Sequence, residues 1–407
     1  MEKSIEKTNT YNCIVIGAGA AGLFYAAGGE SPDKGSEIRN LILEKTTRPG
    51  QKLLMSGNGM CNITHGGSIK DFIDKYGDHG RRIRTCLYKH NNLQLMQMLE
   101  EAGVPLIERD DGKVFPASLR AGDILNVLKA KASERGFSIR CSAEVTGIQP
   151  DAGGMIAVKL AGGELLHTEK LVIATGGKSY PSTGSDGRFL EVLHRDLGIR
   201  IAQPRPALAP VYVQNYPYTD LAGISFEDVE IVCGGHKTRG PMLLTHKGFS
   251  GPAILHISQF VKTGDVMRIN YLPRLNINEV YRKIKADQAG NSKSIAGYLA
   301  AEFGLPKAFA AGIFSEPGRK LSSIGHKELE NVTNLIMNRA YSVSGTGGWN
   351  EAMVTAGGVE LDQIDMTNMS LKACPQIHII GEALDVNGDT GGYNLQFAYS
   401  SAMAAHA

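Results

Sequence analysis

YNCIVIGAGAAG, Tyr11 to Gly22, decides how the rest of the chain is read. Tyr11 to Ile16 is an apolar run of strand length, and LFYAA continues beyond the glycines as a helix that stops at Gly28-Gly29. Between them, Gly17-Ala18-Gly19-Ala20-Ala21-Gly22 spells GxGxxG. In a strand–turn–helix context, Gly17 allows the tight turn, Gly19 lets backbone approach a pyrophosphate, and Gly22 lets helix and strand pack closely. The helix then points its first N–H groups at the phosphates. A second apolar run, Leu41 to Leu43, ends in Glu44. That spacing, about 20 residues past the last glycine, puts a carboxylate where it can accept ribose hydroxyls. The unit predicts dinucleotide binding.

Two further glycine sites select the dinucleotide. EVTGIQ, MIAVKL and ELLHTEK, separated by the turns PDAGG and AGG, read as a β-meander, and it feeds the apolar strand Leu171 to Ala174 into Thr175-Gly176-Gly177. A meander returning to a parallel sheet beside the nucleotide is the arrangement of FAD-binding domains. Ile377 to Ile380 is another apolar strand, stopping at Gly381-Glu382, and ALDVNGDTGGYNLQFAYSSAMAA then opens a glycine-rich turn into a helix. FAD needs this second strand–Gly–acid element, with an acid for ribityl hydroxyls and a helix N-terminus aimed at the flavin's pyrimidine side. The expected fold class is α/β, a Rossmann-like FAD-binding domain of the two-dinucleotide-binding type, interrupted by an insertion. No second strand-GxGxxG-helix is visible, so electrons are expected from NAD(P)H docking transiently, from a protein donor, or from the substrate with oxygen as acceptor.

The combination GAGAAG, LEK, KLLMSGNGMCNITH, GKVFPASLRAGDIL, ATGGKSYPSTGSDG, LLTHKGFSGPAIL, TAGGVELDQID and GEALDVNGDTGGYNLQFAYSS resembles the BaiN/RdsA family of bacterial FAD-dependent oxidoreductases, the aminoacetone-oxidase-like flavoproteins. The resemblance spans nearly the whole chain and implies one tightly bound FAD. It implies cofactor contacts at Ala20, Ala21, Glu44, Lys45, Lys52, Ser56, Gly57, Gly59 and Asn62, with backbone at Val145 toward the adenine. At the C-terminal site, Glu382 and Asp385 are expected to face the ribityl-phosphate region, and Gly391, Gly392, Tyr393 and Asn394 to wrap the ring. Relatives carry Arg where this chain has Met60, so a fixed positive charge is expected to be missing there. Cys61, His246 and Tyr180 are the candidates for proton transfer.

Composition sets outer bounds. The chain has 407 residues, 42% of them hydrophobic, enough for a sizeable core and two or three domains. A formal net charge of +2 gives no whole-molecule attraction to nucleic acid or an anionic membrane. The start MEKSIEKTNT lacks the apolar segment of a signal peptide, and no window approaches the ~18 apolar residues of a membrane helix. A cytoplasmic protein without a membrane partner is expected. Six cysteines without CxxC or metal-ligand spacing argue against a zinc site and a redox disulfide. No metal is expected, and no Ser/His/Asp set supports hydrolase chemistry.

QPRPALAP, with prolines at 204, 206 and 210, reads as a boundary. Beyond it, Val229-Ile231-Cys233 and Met267-Ile269-Tyr271 alternate as strands, whereas Ile277, Val280, Ile284, then Ile295, Leu299, Phe303, then Leu329, Val332, Ile336 take helical spacing. The expected organisation is an FAD domain at 1–200, a β-rich barrel or sandwich at 201–273, a helical part at 274–345, and the FAD domain's second segment at 346–407. The insertion's expected place is over the flavin, forming a substrate pocket that keeps out water.

The function expected first is a reductase using NAD(P)H-reduced flavin to saturate a polarised C=C bond of a small molecule. The alternatives are a flavin amine oxidase releasing peroxide, a dihydrouridine synthase acting on ribosomal RNA, and a non-catalytic flavin-binding protein. For the RNA partner, Arg81, Arg82, Arg84, Lys89 and His90, and separately Arg319, Lys320 and Lys327, supply charge. The sequence leaves the oligomeric state open.

Overall fold

The strand Thr10–Ile16 ends where Gly17 turns the backbone to φ 103°, and the helix Ala20–Gly28 starts three residues later. The computed structural model describes residues 9–29, 39–151 and 153–407, so the polar start of the chain lies, up to Thr8, outside the described residues. The chain divides into two compact units, Met1–Arg205 with Met353–Ala407, and Pro206–Ala352.

Among the described residues, the first unit is built on a nine-stranded sheet. Its parallel centre runs in the order Cys374–Ile379, Leu165–Ile173, Thr10–Ile16, Asn40–Leu43, Phe137–Arg140. Ile14 pairs with Leu41 on one side and Leu171 on the other, and all three are buried. Strands covered on both faces read as continuous apolar runs, which is why these segments show no alternation. The meander Val145–Pro150, Ile156–Leu160, Leu165–Ile173 is antiparallel, and its last strand crosses into the parallel sheet. The C-terminal helix Tyr393–Ala404 packs on the helix Ala20–Gly28, with Phe24 edge-on to Tyr399 at 5.5 Å. A small sheet, Thr64–His65, Lys113–Pro116, Leu106–Glu108, completes this side of the unit.

The second unit has its own core around a closed six-stranded barrel. Val229, Ile231, Cys233, Met267 and Ile269 point inward, as their alternation predicts. The helices Ile277–Asp287, Ile295–Phe303 and His326–Met337 bury one face each. The barrel is not contiguous in sequence: its sixth strand, Arg339–Thr346, follows the helices and, but for its last residue, falls in the stretch 274–345 expected to be helical. Buried Tyr341 and Val343 on that strand carry an alternation too short to stand out beside the helical periods.

Candidate functional site

The first helix begins on a built cradle. A Cβ on Gly22 would stand 2.0 Å from the Gly17 carbonyl oxygen, a backbone atom that cannot move aside, so only glycine lets this helix sit on its strand. A Cβ on Gly19 would meet nothing within 4 Å, so the space in front of the turn is open. Ala20 and Ala21 stand at the helix start, where N–H groups have no partner within the helix. Beside them, buried Glu44 accepts from Ala18 N–H at 2.9 Å, and from Thr46 N–H at 2.9 Å and Thr46 Oγ1 at 2.7 Å. The backbone thus fixes the carboxylate's position at the end of its strand.

Across the sheet, Thr175 Oγ1 and Ser185 Oγ are buried without a hydrogen-bond partner, and a Cβ on Gly176 would come 3.2 Å from Ser185 Oγ. Orphaned buried hydroxyls are rare because each costs about 1–3 kcal/mol of desolvation. Together with the open space before Gly19 they fit a bound polar group, and FAD in particular: Glu44 for ribose, the N–H groups of Ala20 and Ala21 for phosphate.

Lys52 gathers the distant segments. Its Nζ donates to Glu382 Oε2 at 2.6 Å and to Ser179 Oγ; Ser179 Oγ also reaches Glu382 Oε1 at 3.1 Å. Thr355 N–H donates to the same Glu382 oxygen at 2.8 Å, while Thr355 Oγ1 accepts from Lys178 N–H at 2.7 Å and Ser179 N–H at 3.2 Å. A Cβ on Gly177 would collide with Thr355 Oγ1 at 2.3 Å, which is how ATGG closes on this network. Next along, Asp385 Oδ1 accepts from Gly357 N–H at 2.9 Å, with His79 Nε2 3.7 Å from its other oxygen. Gly381, at φ 64°, lies against Ala21, so the C-terminal turn meets the first helix directly.

The loop Ser56–Cys61 has left-handed backbone at Gly57, Asn58, Gly59 and Cys61. Ser56 Oγ donates to Leu53 O at 2.7 Å. With its amide turned so that both ends are satisfied, Asn62 donates to Val114 O at 3.2 Å and Thr64 O at 2.9 Å, and accepts from Gly392 N–H at 3.1 Å. Gly392 presses so closely on Thr64 that a Cβ would stand 2.4 Å from its carbonyl. Asn62 is therefore the clasp between this loop and the start of the C-terminal helix.

Other expected residues have different tasks. Lys45 pairs with Asp186 at 2.6 Å. Burial works against that charge, yet the bonds from Lys45 and Arg188 N–H hold the Asp186 carboxyl below its usual range. Val145 is buried in its strand opposite Leu160, two residues beyond Ala143, whose N–H reaches Glu44 O at 2.9 Å. Tyr393 turns inward, stacked on His65 at 5.3 Å and edge-on to Phe72 and Tyr76, and burial pushes its hydroxyl up to about 12. Asn394 spends its amide on Gly388 N–H and O and on Asp389 O. Gly391, at φ 124°, lies beside the Tyr393 ring.

Cys61 is fully buried, and burial pushes its thiol up to about 11 against a bond to Ser56. That thiol is neither acidic nor open to solvent. His246 stands on an exposed turn of the second unit, between Thr245 and Gly248. Tyr180 holds left-handed backbone at φ 52° directly after Ser179, its carbonyl accepting from Thr183 N–H and Oγ1. Sequence reading missed Ser179, Thr355 and Asp186, although each lies in or beside a glycine-rich block. It also missed Arg109, whose Nη2 lies 3.6 Å from Met60 Sδ, so Met60 does not leave its loop without a positive charge. No signal in ERDDGK marks that arginine.

Known proteins resemble this chain along nearly its whole length. The ribosomal RNA dihydrouridine synthase of Escherichia coli (strain K12) is 28% identical over 97% of this chain and 96% of its own length. The 3-dehydro-bile acid delta(4,6)-reductase of Clostridium scindens is 24% identical over 96% of this chain and 97% of its own. A flavocytochrome c3 fumarate reductase, 16% identical, superposes with a TM-score of 0.51 over 98% of this chain and 78% of that one, a likeness of fold. No helix among the described residues is long and apolar enough to cross a membrane. Residues 11–407 match the family described as HI0933-like protein Rossmann domain, so the chain belongs to that family and is one of its FAD-dependent oxidoreductases.

Proposed function

We propose that the protein is a reductase that saturates a polarised carbon–carbon double bond, and that its acceptor is a uracil ring in ribosomal RNA. FAD, when bound, supplies hydride exchange, and NAD(P)H is the proposed donor. Glu44 and the first-helix N–H groups would hold the adenosine and phosphate end. Lys52, Ser179 and Glu382 would hold the middle, and the Gly392 turn would place a helix N-terminus at the other end, where it favours negative charge. For the proton we choose Tyr180 over Cys61, because it follows Ser179 directly and is only partly buried, whereas the Cys61 thiol is fully buried.

The observation that carries the acceptor is the helix Gly80–Lys89. It exposes Arg81, Arg82, Arg84 and Lys89, and the three arginines form no ion pair among the described residues. A stripe of unpaired cations suits a phosphate backbone. The second basic stretch offers less, since Arg319 is held by both oxygens of Glu328, at 2.6 and 2.9 Å. The names of the E. coli and C. scindens relatives both fit double-bond reduction.

The test is ribosomal RNA from a strain lacking this gene. Loss of a dihydrouridine that a plasmid copy restores is the expected result, and unchanged dihydrouridine content sinks the RNA acceptor. Flavin bleached by an amine alone would point to the oxidase instead. A Tyr180→Phe protein whose reduced flavin is reoxidised by uridine-containing RNA as fast as wild type would remove Tyr180 from proton transfer; a drop of about 10²-fold is expected.

A further inference from the structure

Arg109 is exposed on the hairpin between Leu106–Glu108 and Lys113–Pro116, yet its guanidinium has a fixed seat. It lies 4.1 Å over the ring of buried Phe115, and its Nη2 touches Met60 Sδ at 3.6 Å. Arg120, Arg140, Arg195 and Arg200 of this unit each hold a carboxylate. Arg109 forms no ion pair among the described residues. Asp111 feels its field but is bonded to Lys113.

The seat adjoins the site. The Phe115 ring lies 3.4 Å from where a Cβ on Gly57 would stand, and Asn62 ties that loop to Gly392 N–H at the start of the C-terminal helix. A guanidinium held over an aromatic face has lost much of its rotamer freedom already, and its planar fork matches a phosphate in two-point contact.

We infer that Arg109 determines specificity by binding a phosphate group of the molecule that docks against the flavin. This rests on the flavoenzyme reading above. Two sources share the chemistry, the nicotinamide dinucleotide and the nucleotide substrate.

The test uses FAD-loaded protein, so that the cofactor's own phosphate site is filled, and inorganic pyrophosphate as the probe in calorimetric titration. Wild type is expected to bind it, Arg109→Gln at least tenfold more weakly, and Arg109→Lys in between, with FAD content unchanged in all three. Displacement by NADPH assigns the group to the donor, and displacement by uridine monophosphate to the substrate. Wild-type protein that binds no pyrophosphate, or an Arg109→Gln protein that binds it as wild type does, overturns the inference. Protein that purifies without FAD overturns the flavoenzyme reading instead, before any titration is made.

Discussion

Two glycines of one motif separate packing from binding. Gly22→Ala drives a methyl group into the Gly17 carbonyl, 2.0 Å away, so backbone must shift. We expect it to destabilise the protein by about 1–3 kcal/mol or more, as overpacking does, and to abolish FAD retention. Gly19→Ala puts its methyl group into open space at φ −80°, which any residue adopts. Stability should then stay within about 0.5 kcal/mol while FAD affinity falls, because the methyl occupies the approach to the phosphates. Urea denaturation of the FAD-free proteins and FAD titration read the two effects apart. Equal losses in both variants would contradict the assignment of Gly19 to phosphate. His378 is a residue of a different kind. Burial, with Lys170 nearby, pushes its imidazole down to about 4, while Nδ1–H donates to Asn368 O at 2.9 Å. As pH falls below the ordinary value near 6.5 the unfolded chain takes a proton that the folded chain refuses. Stability should therefore be full above about 6.5 and decline toward pH 4, by roughly 3 kcal/mol at most from this group. In His378→Asn, measured by urea denaturation across that range, the decline should be shallower.

At the scale of elements, the site is an assembly of turns, and the sequence discloses the turns better than their joints. Strand–glycine–helix units are legible because apolar runs and GxGxxG are local patterns, so Thr10–Ile16, Ala20–Gly28 and the ATGG and GDTGG turns fall where those patterns put them. The joint between Lys52 and Glu382 spans 330 positions, and nothing local to either residue announces the other. Tyr393 sits beside glycines, which in sequence suggests a residue lining the flavin; the helix turns it instead toward His65, Phe72 and Tyr76. Asn62 tests the idea that joints hold the elements in place. Asn62→Ala removes three hydrogen bonds and leaves the Gly392 N–H without its partner. We expect about 1–3 kcal/mol of lost stability, together with faster FAD release. Unchanged FAD release would mean that the C-terminal turn holds its place without the clasp.

For the whole molecule, a net charge of +2 hides a local concentration. Long-range attraction averages over the surface, but binding to a polyanion depends on how many phosphates a patch can neutralise. The helix Gly80–Lys89 buries Ile83, Cys86 and Leu87 and turns Arg81, Arg82 and Arg84 outward, so its basic face follows from the same 3.6-residue period as its buried face. Those three arginines support no neighbour through an ion pair among the described residues, so replacing all of them by Gln should leave the unfolding midpoint nearly unchanged. What should change is RNA binding. Each phosphate that the protein no longer neutralises lowers the dependence of log affinity on log salt by about 0.7 for single strands and 0.9 for duplex. The triple variant should therefore bind a ribosomal RNA fragment more weakly at low salt, with a slope shallower by roughly 2 to 3. Fluorescence anisotropy across a salt series measures both quantities on one protein. A slope equal to that of wild type would show that the RNA backbone, if bound at all, lies elsewhere on the surface. A shallower slope with unchanged FAD content and unchanged reduction by NADPH would separate docking of the macromolecule from the chemistry at the flavin.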